Sequence, residues 1–257
     1  NNAMARPKMV MAIQVAGFLL KIPLNSLFIF GGMGIPSMGG PGCALATCAI
    51  LWLELIIGWL ILRYNPFYRI LHLFGKGLTA PDWHSLKALL ALGIPVGLNY
   101  FIEVTSFTLM ALFIARLGVN DVAGHQIVAN FSGVLYMLPL SLASATSTLV
   151  AQSIGARQLE KARHISASGT RLSASLAIAV ACIVWLAKDL IINLYTADAA
   201  VAQCASLLFP FLCSLLFFDA IQLTGSYVLR AYKVVLQPTL LYILTLWCIG
   251  LGCGYTF

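Results

Sequence analysis

Residues 199–231 read AAVAQCASLLFPFLCSLLFFDAIQLTGSYVLRA, a run whose only acid is Asp219 and whose only base, Arg230, stands near its end. At about 1.5 Å per residue, a helix over this run outreaches the ~30 Å hydrocarbon core of a bilayer. Comparable apolar stretches cover roughly 9–31, 43–64, 86–118, 122–153, 165–192 and 234–257. Seven spans are therefore expected. None of them alternates polar and apolar residues as a barrel strand does, so the chain reads as all-α, a polytopic helical membrane protein that satisfies its backbone groups inside lipid.

Composition agrees. Hydrophobic residues make up 61% of the chain and charged residues 9%, with a mean hydropathy of +0.94, against about 25% charged residues in a soluble domain. The charges also sort by connection. Arg6 and Lys8; Arg63, Arg69, Lys76 and Lys87; Arg157, Lys161, Arg163 and Arg171; and Arg230 and Lys233 flank four alternate connections, which the positive-inside bias assigns to the cytoplasm. Arg116, Lys188, Asp121, Asp189 and Asp198 fall in the connections expected to face outward. The net charge of +7 thus records topology and contact with anionic lipid, and no aromatic-interleaved basic patch points to nucleic acid.

The seven cysteines lie in or beside apolar segments without CxxC spacing and read as small hydrophobes. HExxH, GxSxG and Walker signatures are absent and the histidines and acids are scattered, so no enzyme is expected. The opening Asn1-Asn2-Ala3-Met4-Ala5-Arg6-Pro7-Lys8 reads as a polar connection rather than a signal peptide, and Tyr255-Thr256-Phe257 stops inside an apolar segment, so residues are expected beyond both ends. Ala5-Arg6-Pro7-Lys8-Met9-Val10 before the first span echoes Leu229-Arg230-Ala231-Tyr232-Lys233-Val234-Val235 before the last, as in a repeated transporter bundle.

Glu103 and Asp219 combine a mid-span position with polar neighbours on their own helical face: Asn99 and Ser106 beside the first, Gln222 and Ser226 beside the second. A carboxylate at the bilayer centre costs at least about 2.5 to 3.5 kcal/mol, so an acid kept there is a cation site, a proton relay or a buried pair. The residues leave all three open. Two carboxylates on one cavity can share a proton or hold Na+ together with amide and hydroxyl oxygens. Gln126, Asn130 and Gly133 form a third stripe, suited either to substrate contact or to helix–helix adhesion. Asn25, beside Pro23, marks a kink or opened turn that could face a cavity.

Several ordered motifs carry a family resemblance: Ile22-Pro23-Leu24-Asn25 with Phe28-Ile29-Phe30-Gly31, Gly39-Gly40-Pro41-Gly42-Cys43, Phe101-Ile102-Glu103-Val104-Thr105-Ser106-Phe107, Ala123-Gly124-His125-Gln126-Ile127, and Asp219-Ala220-Ile221-Gln222 with Gly225-Ser226. Over nearly its whole length the chain resembles multidrug and toxic compound extrusion (MATE) transporters of the NorM-like branch. The resemblance implies a twelve-helix, two-lobe transporter of a bacterial inner membrane, exporting organic cations in exchange for Na+ or H+ without another cofactor. Residues 1–64 would supply the last two helices of the N-terminal lobe, 65–85 a cytoplasmic inter-lobe loop, and 86–257 five of six C-terminal helices. Its partners would then be substrate, lipid and the missing helices, and transport by this piece alone is not expected. The family's coupling carboxylates carry over to Glu103 and Asp219, the Na+ ligands if sodium drives export. Asp198 matches an acidic loop position of some members and could attract cations at the mouth, although a helix N-cap is the plainer account of it.

Lys21 and Gly252 depart from the NorM-like pattern, which has asparagine and proline there. A lysine on a cation cavity needs a partner. Lys21 lies ten residues before Gly31 and Glu54 eleven after Cys43, so an antiparallel helix pair predicts a Lys21–Glu54 ion pair. A seven-helix receptor or channel, suggested by the span count, and a lipid-linked-precursor flippase of the same superfamily are the alternatives. The acid-lined stripes oppose the flippase, because pyrophosphate calls for basic residues.

Overall fold

The computed structural model describes residues 7–32, 36–65, 82–116 and 118–252. Two compact units divide the chain, Asn1–Pro81 and Asp82–Phe257. In the first, α1 (Pro7–Phe30) packs on α2 (Gly40–Tyr64). Gly39 enters α2 with φ +59°, a positive value that glycine adopts without steric cost. Gly42 lies so close to the Phe28 carbonyl that a Cβ there would collide with it.

The predicted Lys21–Glu54 ion pair is not formed among the described residues. Glu54 instead accepts a hydrogen bond from Gln14 Nε2 at 3.3 Å and lies against Gly17, where a Cβ would strike its carboxylate. Gln14, Gly17 and Lys21 share one face of α1, so the miss is along the helix axis and not around it. The carboxylate enters the notch at Gly17, one helical turn short of Lys21.

In the second unit α3 (Trp83–Ile114), α4 (Val119–Gly155), α5 (Leu159–Leu186), the short α6 (Lys188–Tyr195), α7 (Ala199–Ala231) and α8 (Leu236–Ile243) follow in order. Asp82 caps α3, accepting from the backbone of His84 and Ser85, and Asp198 caps α7 through Ala200 N at 2.8 Å. Beyond α8, Leu244–Leu251 widens into a π-helix. There the Thr245 hydroxyl donates to the carbonyls of Leu241 at 2.9 Å and Tyr242 at 3.2 Å, a side-chain claim on the backbone that disturbs the α ladder.

Among the described residues six helices are long and apolar enough to cross a membrane, α1 to α5 and α7. The expected seventh, 234–257, is present as two eight-residue pieces over Leu236–Leu251, at most about 24 Å and short of the bilayer core as far as it is described.

The heart of this unit is α7 packed between α4 and α5. Phe209, Leu212 and Leu216 of α7 are buried with Val184 and Ile192, and the Phe131 and Phe209 rings lie 6.2 Å apart. Small residues allow this approach, as expected where lipid supplies no hydrophobic drive between helices. A Cβ on Gly124 would stand 2.9 Å from Cys204 Cβ and 3.2 Å from Ala205 N. Hydroxyls then pin α7 from both sides: Ser147 donates to the Tyr227 carbonyl at 2.8 Å and Ser173 to the Ala220 carbonyl at 3.4 Å. With Leu216, Ala220, Leu223 and Thr224 buried, the opposite stripe of Asp219, Gln222, Ser226 and Arg230 remains for another task.

Candidate functional site

That stripe meets α3 and α8 around a small cavity with about 20 Å³ of free volume. Asn99, Tyr100 and Glu103 line it from α3, Tyr136 from α4, Gln222, Ser226, Tyr227 and Arg230 from α7, and Pro238 and Tyr242 from α8. Helical periodicity sets the arrangement: Asn99 and Glu103 are one turn apart, and Gln222, Ser226 and Arg230 recur every four residues. The three helices are held around it by polar contacts. Tyr100 and Tyr227 hydroxyls meet at 3.1 Å between α3 and α7, and Thr239 of α8 donates to the Pro95 carbonyl of α3 at 3.5 Å.

Glu103 is half-buried, and within coulombic reach of it lie Asp219 and the Arg230 guanidinium. Tyr136 and Tyr242 feel both acids. Asn99 Oδ1 is buried with no hydrogen-bond partner, whereas the Gln222 amide donates to Ser226 Oγ at 3.4 Å. An unsatisfied buried carbonyl oxygen costs free energy unless something meets it. Beside an acid, the group that meets it best is a cation or a protonated partner. The volume admits roughly one water-sized body, so a monatomic ion fits. Among the described residues no three His, Cys, Asp or Glu side chains converge as a metal site. A cation here would rely on one or two carboxylates and neutral oxygens, the donor set suited to a hard monovalent ion.

The structure thus brings Glu103, Asn99 and Gln222 onto one cavity and puts Asp219 beside it. The other residues singled out in the sequence lie elsewhere. Asn25 belongs to the first unit, where its Oδ1 is buried without a partner. Asn130 accepts from the Tyr195 hydroxyl at 3.4 Å, and neither it nor Gln126 lines the cavity. Asp198 acts as the α7 cap, which was its plainer explanation. Sequence reasoning missed Tyr100, Tyr136, Tyr227, Arg230 and Tyr242. A signal existed for one pair, since Tyr227 follows Ser226 and Tyr100 follows Asn99 on the polar stripes.

Comparison with known proteins agrees with the architecture. The MatE family profile matches residues 95–256. The chain is 40% identical over 255 residues to a probable multidrug resistance protein NorM of Aromatoleum aromaticum, covering 99% of this chain and 55% of that protein. It is 36% identical to the multidrug resistance protein MdtK of Photorhabdus laumondii, again over 99% of this chain and 55% of the relative. A solved structure described as the outward-facing conformation of a multidrug resistance MATE family transporter superposes with a TM-score of 0.81 at 20% identity, covering 96% of this chain and 54% of the other. The chain therefore spans about half the length of the relatives it matches. Nearly full coverage of the chain at this identity, on the same helical fold, makes it a member of the MATE family.

Proposed function

We propose that the complete transporter to which this chain belongs is a secondary antiporter of a bacterial inner membrane, exporting organic cations in exchange for Na+ or H+, with Glu103 and Asp219 as its coupling acids. The observation that carries this reading is that Glu103 lines a cavity sized for one ion together with Asn99, whose Oδ1 has no hydrogen-bond partner among the described residues. Such a site binds the coupling ion and leaves drug recognition to other surfaces. Entry of the ion neutralises Glu103, while an organic cation arriving nearby competes for the same negative charge. The relatives bear on substrate class, since both are named for multidrug resistance. Lipid and the transporter's remaining helices are the partners of this piece.

The test uses the complete transporter reconstituted in liposomes. Glu103→Gln and Asp219→Asn each preserve shape and remove charge, so both should abolish dye export driven by a Na+ or pH gradient while inserting normally. Near-wild-type export by both variants would overturn the assignment. Running Na+ and pH gradients separately identifies the driving ion.

A further inference from the structure

The cavity is lined by a cation of its own. Arg230, in the last turn of α7, lines it together with Glu103 and acts electrostatically on that carboxylate. The guanidinium is not free in water. It lies 4.6 Å from the centre of the Tyr227 ring and 5.9 Å from that of Tyr100, the two residues whose hydroxyls meet at 3.1 Å. Aromatic faces attract a guanidinium within about 6 Å of their centres, and the C-terminal end of a helix favours positive charge. Among the described residues no carboxylate forms an ion pair with it, so its full charge is held on an aromatic shelf at one end of a cavity whose other end is acidic.

We infer that Arg230 is a tethered counter-cation of the coupling site: it competes with the incoming ion for Glu103, keeps the ion-free cavity near neutrality, and sets the ion concentration at which the site fills. The inference rests on the coupling role proposed for Glu103. Two fixed holds divide the guanidinium between them, the Tyr100–Tyr227 shelf and the acid. The titratable groups that line the cavity with it are Glu103 and Tyr100 from α3, Tyr136 from α4, Tyr227 from α7 and Tyr242 from α8, while Asp219 acts on Glu103. When Na+ or a proton neutralises Glu103, the guanidinium loses its reason to lean toward the acid and settles on the shelf. When the ion leaves, it leans back. An internal charge of this kind speeds release of the ion, because the carboxylate is never left wholly uncompensated in a low-dielectric site.

Two substitutions predict opposite shifts. Arg230→Gln in the complete transporter removes the competitor, so the half-saturating Na+ concentration, or proton concentration if protons drive export, should fall on the order of three- to tenfold. Arg230→Lys keeps a charge and should shift it less. Tyr227→Leu weakens the aromatic hold and sends the guanidinium toward Glu103, so the half-saturating concentration should rise. Ethidium export from proteoliposomes, titrated with Na+ and with imposed pH, reads all three. General damage would move Arg230→Gln and Tyr227→Leu the same way, so opposite shifts support the inference. An unchanged or raised half-saturating concentration in Arg230→Gln overturns it, as does a shift of the same sign in both. Glu103→Gln serves as the separate control: if it retains ion-dependent export, the coupling assignment has failed; if it loses export while Arg230→Gln leaves half-saturation unmoved, only the counter-cation role has.

Discussion

Glu54 Oε2 accepts a hydrogen bond from Gln14 Nε2 at 3.3 Å, which ties α2 to α1 through a neutral amide and leaves Lys21, two turns beyond Gln14, out of the contact. A double-mutant cycle on thermal unfolding of the complete transporter should therefore find Gln14→Leu and Glu54→Met coupled by on the order of 1 kcal/mol. Lys21→Met with Glu54→Met should be additive within about 0.5 kcal/mol. Coupling in the lysine pair and none in the glutamine pair would reverse the assignment.

Acid should loosen the start of α3. Ser85 donates to Asp82 through its hydroxyl at 2.6 Å and its amide at 3.1 Å, the His84 amide adds a third bond, and together they hold the Asp82 carboxyl below its ordinary value of 3.8. A carboxylate depressed in the folded state contributes stability that is complete above the unfolded value and is lost as pH falls through the folded one. Protection of the His84 and Ser85 amides against hydrogen exchange should hold from pH 7 to about 5 and decline below ~4. Asp82→Ala should remove that dependence, and a pH-independent protection pattern in the parent would contradict it.

Arg157 and Lys233 adopt φ of 60° and 62° just past the ends of α4 and α7. In both turns the next amide reaches back five residues, Gln158 to Ser153 and Val234 to Leu229, each at 2.9 Å, the Schellman closure that favours glycine. Arg157→Gly and Lys233→Gly should each stabilise the transporter by about 1 kcal/mol, measured as a raised Tm in detergent. A lowered Tm for both would show that the side chains contribute more than the strain costs.

Close approach at Gly124 predicts the opposite effect. A Cβ there would meet Cys204 Cβ at 2.9 Å, so Gly124→Val should push α4 from α7 and destabilise by about 1 to 3 kcal/mol. Cys204→Gly in the same chain removes the Cβ that is struck and should recover part of the loss. Independent, additive effects would mean that the two helices do not press on each other there.

Six spans could be read from sequence because apolar length is a one-dimensional property and a bilayer sets its threshold. Glu103 and Asp219 were legible for a related reason, since charge inside an apolar run needs an explanation whatever the fold. Tyr136 and Tyr242 were not, because tyrosine also belongs to membrane-interface belts and only the packing of α3, α4, α7 and α8 sets them beside the acids. Arg230 was counted among the basic flanks, where its charge suffices to explain it. The Lys21–Glu54 expectation failed on depth: counting from the ends of α1 and α2 missed the one to two turns that separate Lys21 from Gly17 and Gln14 on the same face.

The π-helical stretch over Leu244–Leu251 carries a consequence for how homologues diverge. A π segment holds more residues per turn than an α-helix, so loss of a single residue within it can restore α geometry. The extra residue is absorbed in the wide turn, so Gly252 would keep nearly its present phase relative to Pro238 and Tyr242. Insertions and deletions are normally confined to loops, yet this window inside an apolar helix should tolerate a one-residue change in length. Lineages that differ there would absorb the change within Leu244–Leu251 and keep Pro238 and Tyr242 on the cavity.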